Sequence, residues 1–158
     1  MSLTEYQNGV CEDKKLDAEK LLKLLNVREN ENFDLLRDKA FIGDKSSTNR
    51  LLGETIIDPD KNIYYLNVIN QRLIKLKEVR DKIQNNEIEE VVNNLKPPVF
   101  WKDKPKLIMQ AKKWSTKKAT KMLNETFDLE KRLKSDATIN KTTLLKKLMI
   151  DICCVANS

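Results

Sequence analysis

From Asp58 to Ile83 the apolar residues return at three- and four-residue steps, and nowhere in the chain do they alternate with period two. Leu66, Ile69, Leu73, Leu76 and Ile83 form the stripe that one face of an α-helix requires. Asp58-Pro59 supplies the start, a capping carboxylate followed by proline at the first helical position. The spacing predicts a helix of about seven turns, from roughly 60 to 84. Glycine occurs only at positions 9, 43 and 53, and there are four prolines in 158 residues. That scarcity suits long helices joined by short turns and suits a β-sandwich poorly. The expected fold is all-α: a set of short N-terminal helices, then a helical bundle built on the long helix.

Residues 4–13 read as the tail of a helix. Asp17 is placed to N-cap a helix through Leu21, Leu22, Leu24 and Leu25, with Asn30-Glu31-Asn32 breaking the pattern. Phe33 to Ile42 form a compact apolar segment that stops at Gly43, a candidate C′ glycine. Leu51, Leu52, Ile56 and Ile57 continue in helical spacing. After the long helix, Ile88, Val91, Val92 and Leu95 predict a short one. Asp103 and Pro105 open a helix carrying Leu107, Ile108, Ala111 and Trp114. Ser115 caps the next, which presents Ala119, Met122, Leu123, Phe127, Leu129 and Leu133. The last helix carries Leu144, Leu145, Leu148, Ile152, Val155 and Ala156, and its broad apolar face places it at the centre of the bundle.

Lys96-Pro97-Pro98-Val99-Phe100-Trp101-Lys102 divides this series. Proline lacks an N–H and biases the residue before it away from the helical region, so no helix runs through the pair. Charge steps at the same place. Residues 1–95 hold 15 Lys/Arg and 18 Asp/Glu, whereas residues 96–158 hold 15 and 6, within a net charge of +6. The apolar runs are far shorter than a membrane span, so a soluble, cytoplasmic protein with no membrane partner is expected. Cys11, Cys153 and Cys154 have no metal-ligand spacing and read as reduced thiols, with the adjacent pair pointing apart on a helix. Met1-Ser2-Leu3 reads as a vector scar on a piece of a longer protein.

The chain has no histidine, which removes the commonest general base near neutral pH and the commonest transition-metal ligand. Three isolated glycines make no phosphate-binding loop. Glu87, Glu89 and Glu90 suit the first turn of a helix, and Ser46, Ser47 and Thr48 suit turns or caps. No catalytic residues, cofactor or metal ligands are assigned, and no enzyme activity is expected of this chain. The basic half is the functional signal. Lys112, Lys113, Lys117, Lys118 and Lys121 crowd two helices around Trp114, as a solvated face or as a patch for nucleic-acid phosphate. Trp101 with Lys102 reads either as a packing anchor or as a ring that stacks on an unpaired base.

Leu95-Lys96-Pro97-Pro98-Val99-Phe100-Trp101-Lys102, followed by Lys113-Trp114-Ser115 and by Asp128-Leu129-Glu130 through Leu133-Lys134-Ser135, resembles a known pattern. The chain is similar to the C-terminal part of the delta subunit of the bacterial DNA polymerase III clamp loader. In that family a Pro-Pro-x-Phe segment enters a C-terminal helical domain, a basic-aromatic-Ser step caps the next helix, and a Leu-rich helix like Leu144–Ile152 closes it. The resemblance spans most of residues 14–156 and is most specific from 95 to 135.

The resemblance implies that residues 1–57 are the end of an AAA+-like helical lid and residues 58–158 a helical collar, the oligomerisation domain. It implies a non-catalytic subunit that assembles with the gamma/tau and delta prime subunits through its collar. The full subunit then opens the sliding clamp and loads it on primed DNA, binding the clamp through an N-terminal domain outside this chain. Such a subunit is part of the DNA-directed DNA polymerase III holoenzyme, a nucleotidyltransferase, without doing that chemistry itself. Trp101 and Lys102 would lie near the template strand. The Asp136–Asn140 turn, with Ala137 and Thr138, offers no matching aromatic for a two-ring contact. The rival expectation, from the residues alone, is a stand-alone basic helical nucleic-acid-binding module.

Overall fold

The computed structural model describes the backbone of residues 3–158 and the side chains of residues 14, 15 and 17–158. Among the described residues the chain is entirely helical, without a strand. Helix α1 spans Leu3–Ile42, α2 Lys45–Glu54, α3 Asn62–Lys82, α4 Ile88–Asn93, α5 Lys104–Lys113, α6 Thr116–Ser135 and α7 Lys141–Ala156. A 3-10 turn, Pro59–Lys61, precedes α3. The chain forms two compact units, residues 1–32 and 33–158. The expected boundary at 57/58 falls inside the second unit, whose core draws on residues from both sides of it.

The first unit is the part of α1 up to Asn32. Two expectations fail here. Asp17 does not cap a helix, and Asn30-Glu31-Asn32 does not end one, because α1 runs through both. The two asparagines are mediocre helix formers and Glu31 a good one, no glycine or proline is present to break the backbone, and propensity alone is a weak signal. What changes at Asn32 is burial. Leu21, Leu22, Leu24, Leu25 and Val27 are all exposed, whereas Phe33, Leu36, Ala40 and Phe41 are buried. The side chains of residues 4–13, Cys11 included, lie outside the described residues.

In the second unit α1 ends as the sequence predicts. Gly43 has φ +80°, the Gly43 N–H donates to the Ala40 carbonyl and the Asp44 N–H to that of Lys39, a Schellman closure. Asp44 caps α2 by accepting from the Ser47 N–H, which holds the Asp44 carboxyl below its usual range. Its contribution to stability is therefore present above the ordinary carboxylate range and lost as pH falls through the depressed value. Thr55 is extended and stops α2, so Ile56 lies outside it and is exposed, while Ile57 is buried. The Asn157 side chain donates to the Gly43 carbonyl at 2.8 Å, closing the end of α7 onto this turn.

Helix α3 is the spine. Asp58 caps the preceding 3-10 turn, rather than α3 itself, by accepting from the Asp60 N–H, and Leu66, Ile69, Leu73, Leu76 and Val79 of α3 are buried against the bundle, most extensively against α6. Thr116 donates to Asp81 at 2.7 Å, joining the start of α6 to the end of α3. On α6, Ala119, Met122, Leu129 and Leu133 are buried as expected, but Phe127 is exposed, with the Lys131 ammonium 4.4 Å from its ring centroid. Helix α7 buries Leu145, Leu148, Met149 and Ile152 but not at the centre of a ring of helices. It packs chiefly on α2 and α6, leaving Ile150 and Cys154 exposed. Cys153 is buried, and burial pushes its thiol up. No described helix is long and apolar enough to cross a membrane.

A charge cluster lies inside this packing. Asp38 on α1 is 4% exposed and Arg72 on α3 is 6% exposed. Arg72 donates to Asp103 at 2.7 Å and lies 3.5 Å from Asp38. Arg37 binds Asp38 at 2.9 Å and Lys106 approaches it at 3.3 Å. The buried Gln110 amide donates to the Asp38 carbonyl at 3.3 Å. The cluster ties α1, α3 and α5 together, and removing one buried partner strands the others.

Two outcomes follow for equilibrium urea unfolding. Gly43→Ala forces a side chain into a left-handed backbone, and its Cβ would meet the Asn157 side chain at 2.6 Å. The expected loss is about 1–3 kcal/mol, read as a lower midpoint at unchanged slope. Arg72→Met leaves the buried Asp38 short of a cation and the half-buried Asp103 without its ion-pair partner, and is expected to cost on the order of 3 kcal/mol.

Candidate functional site

The Pro-Pro segment is a corner anchored from beneath. Leu95 is buried, Val99 is packed against the core, and Asp103 is held by Arg72. The Lys96-Pro97 peptide is cis, and the Asp103 and Lys104 N–H groups both donate to the Phe100 carbonyl, closing a turn before α5. The anchors leave the intervening rings outside. Phe100 is 63% exposed and Trp101 68% exposed, with centroids 6.0 Å apart at 52°. The Lys102 ammonium sits 5.3 Å from the Trp101 centroid, within the range of a cation–π contact. The packing reading of Trp101 therefore fails: Val99 and Leu95 do that work.

The other tryptophan is the anchor. Trp114 is 1% exposed, its indole N–H donates to the Phe41 carbonyl at 2.8 Å, and its ring lies 5.1 Å from that of Phe41. An indole brings large apolar area with one donor, and here the donor meets an orphan carbonyl in the last turn of α1. Trp114 ends α5 and Ser115 caps α6, accepting from the Lys118 N–H at 3.1 Å.

This corner decides where the lysines go. Lys112 and Lys113 occupy the last turn of α5, favourable for cations, and are exposed. Lys117 and Lys121 are exposed on α6. Lys118 is half-buried, and its ammonium donates to the Lys113 carbonyl at 3.1 Å and the Ser158 carbonyl at 2.7 Å. It is a bracket between helix ends rather than a free phosphate ligand. None of these five lysines forms an ion pair among the described residues. Trp101 and Lys102 sit at one end of α5, Lys112 and Lys113 at the other, so about 15 Å of helix separates the two groups. They are two sites rather than one.

A third feature was not foreseen. A groove lies between α6 and α7, floored by Leu129, Leu144, Leu148 and Val155. Lys117, Lys118 and Lys121 line one end of it. The broad apolar face of α7 was its only trace in the sequence, and that face reads equally as core. Among the described residues no cluster of acidic or thiol side chains could hold a metal ion.

The two tryptophans should separate cleanly. Trp101→Ala is expected to leave stability within about 0.5 kcal/mol and to remove the acrylamide-quenchable, red-shifted emission. Trp114→Ala is expected to cost about 3–5 kcal/mol and to remove the protected, blue-shifted component. Comparison of the chain with protein-family models, with curated proteins and with solved structures finds no match.

Proposed function

We propose that this chain is a non-catalytic helical assembly subunit of the clamp-loader type, akin to the delta subunit of bacterial DNA polymerase III. In this reading the helices after Asp58 serve as a collar that packs with gamma/tau and delta prime collars. The full subunit, through a further N-terminal domain, holds open the sliding clamp for loading on primed DNA in the cytoplasm. The observation that supports it best is the Phe100-Trp101 corner. Two rings are held out by Leu95, Val99 and Asp103 directly after the Pro-Pro step that carries the resemblance. Exposed rings beside Lys96 and Lys102, neither of which forms an ion pair among the described residues, suit an unpaired base flanked by phosphate. A long α3 packed against α6, with helix ends closed by hydrogen bonds, suits a rigid module whose work is docking.

A second reading is favoured by the exposed Lys112, Lys113, Lys117 and Lys121, which lack carboxylate partners: a stand-alone module that binds nucleic acid through its backbone. The two differ in what the purified chain needs. The first expects a stable complex with the collar region of an ATP-hydrolysing loader subunit, seen as a shift in size-exclusion elution, and weak DNA binding alone. It also expects Trp101→Ala to cost the complex about 1–3 kcal/mol of single-strand affinity. No complex, together with DNA binding by the chain alone that falls steeply with salt, would reject the first reading for the second.

A further inference from the structure

The first unit leaves an apolar helix face in water. Leu21, Leu22, Leu24, Leu25 and Val27 are between 46% and 67% exposed. A helix gains most of its stability in proteins by burying such a face. The second unit has the converse feature, the α6–α7 groove, about 670 Å3 in volume, with four aliphatic side chains in its floor. We propose that the helix of the first unit, residues 17–28, docks in the α6–α7 groove of a second copy of this chain.

Length and charge select this occupant. The leucines are bracketed by Asp17 and Arg28, which by helical periodicity lie beside the leucine face. These two residues are eleven positions apart, about 16 Å along a helix. Along α6, Lys117 and Asp128 are also eleven positions apart, and both border the groove. Laid parallel to α6, the helix sets Asp17 against Lys117 and Lys121, and Arg28 against Asp128. Leu21, Leu22 and Leu25 then fall over Leu148 and Val155. Asp17, Arg28, Lys117, Lys121 and Asp128 form no ion pair within the chain among the described residues, so docking breaks none. The opposite direction places Asp17 beside Arg132 but carries Arg28 about one turn past Glu125, level with Lys121, a poorer match. Lys121, Arg132 and Lys147 alternate with Glu125, Asp128 and Asp151 around the aliphatic floor, a mixed rim that suits a helix carrying both signs of charge better than a run of phosphates.

The contact is heterologous, so two copies can exchange helices or several can run head to tail. It does not rest on the clamp-loader reading, because no other protein is needed. Sedimentation equilibrium of the full chain over a wide concentration range tests it. The expected result is reversible self-association, weakened at least tenfold by Leu22→Ser with Leu25→Ser while circular dichroism shows the second unit still folded. Asp17→Lys alone, and Lys117→Asp with Lys121→Asp, should each weaken association, and the three together should restore it. That rescue cannot come from misfolding. A monomer at all concentrations overturns the proposal, as does association indifferent to these changes. Loss in both charge variants without rescue in the combination overturns the docking direction and with it the pairing.

Discussion

A carboxylate without water must be given cations, and Asp38 sets that requirement for the second unit. It receives Arg37 from its own helix, Arg72 from α3 and Lys106 from α5, and its backbone carbonyl receives Gln110. Apart from the neighbouring Arg37, the partners come from α3 and α5, so the full cluster forms only when α1, α3 and α5 are all in place. Burial of paired charge adds little net stability over an apolar core, because desolvation offsets the attraction. Its effect is on arrangement. A register slip of α3 against α1 would leave a buried charge alone, which is far more costly than a misplaced leucine. Arg72 carries the same constraint outward through Asp103 to the base of the Phe100-Trp101 corner, so the exposed rings are held by the interior.

Trp114 supplies the second fixed point. Its indole meets the Phe41 carbonyl at the end of α1, and one residue later Ser115 starts α6. Gly43, immediately beyond Phe41 and Ile42, turns the chain into α2 and is met from the other side by Asn157. The end of α1, the α5–α6 corner and the end of α7 thus converge on a few residues with matched donors and acceptors. Four of the five lysines around Trp114 are exposed, while the tryptophan between them is sealed.

The caps and stripes were legible in the sequence. Gly43, Ser115 and the α3 stripe each act through neighbours within a few residues and are found where expected, while Asp58-Pro59 opens the short 3-10 turn that leads into α3. The misreadings share one cause. Asp17 as a cap, Asn30–Asn32 as a break and Phe127 as core were all judged from residue type, whereas their fates depend on what packs against them. Trp101 and Trp114 look alike as aromatic residues beside lysines, yet one is in water and the other is sealed. Of the candidate site, Trp101, Lys102 and the five lysines were nameable in advance as candidates, but not which of them would be exposed. The commitment of Lys118 to two carbonyls and the α6–α7 groove were not.

By itself the sequence determined that the chain is helical, where most helices start and stop, and that the proline pair interrupts them. These properties depend on backbone dihedrals, missing donors and apolar spacing, all of them local. Tertiary structure alone decided which apolar face is covered, which lysines are free and which tryptophan is left exposed. Those outcomes depend on contacts between residues tens of positions apart, such as Trp114 with Phe41 and Arg72 with Asp103, and no pattern within one helix encodes them.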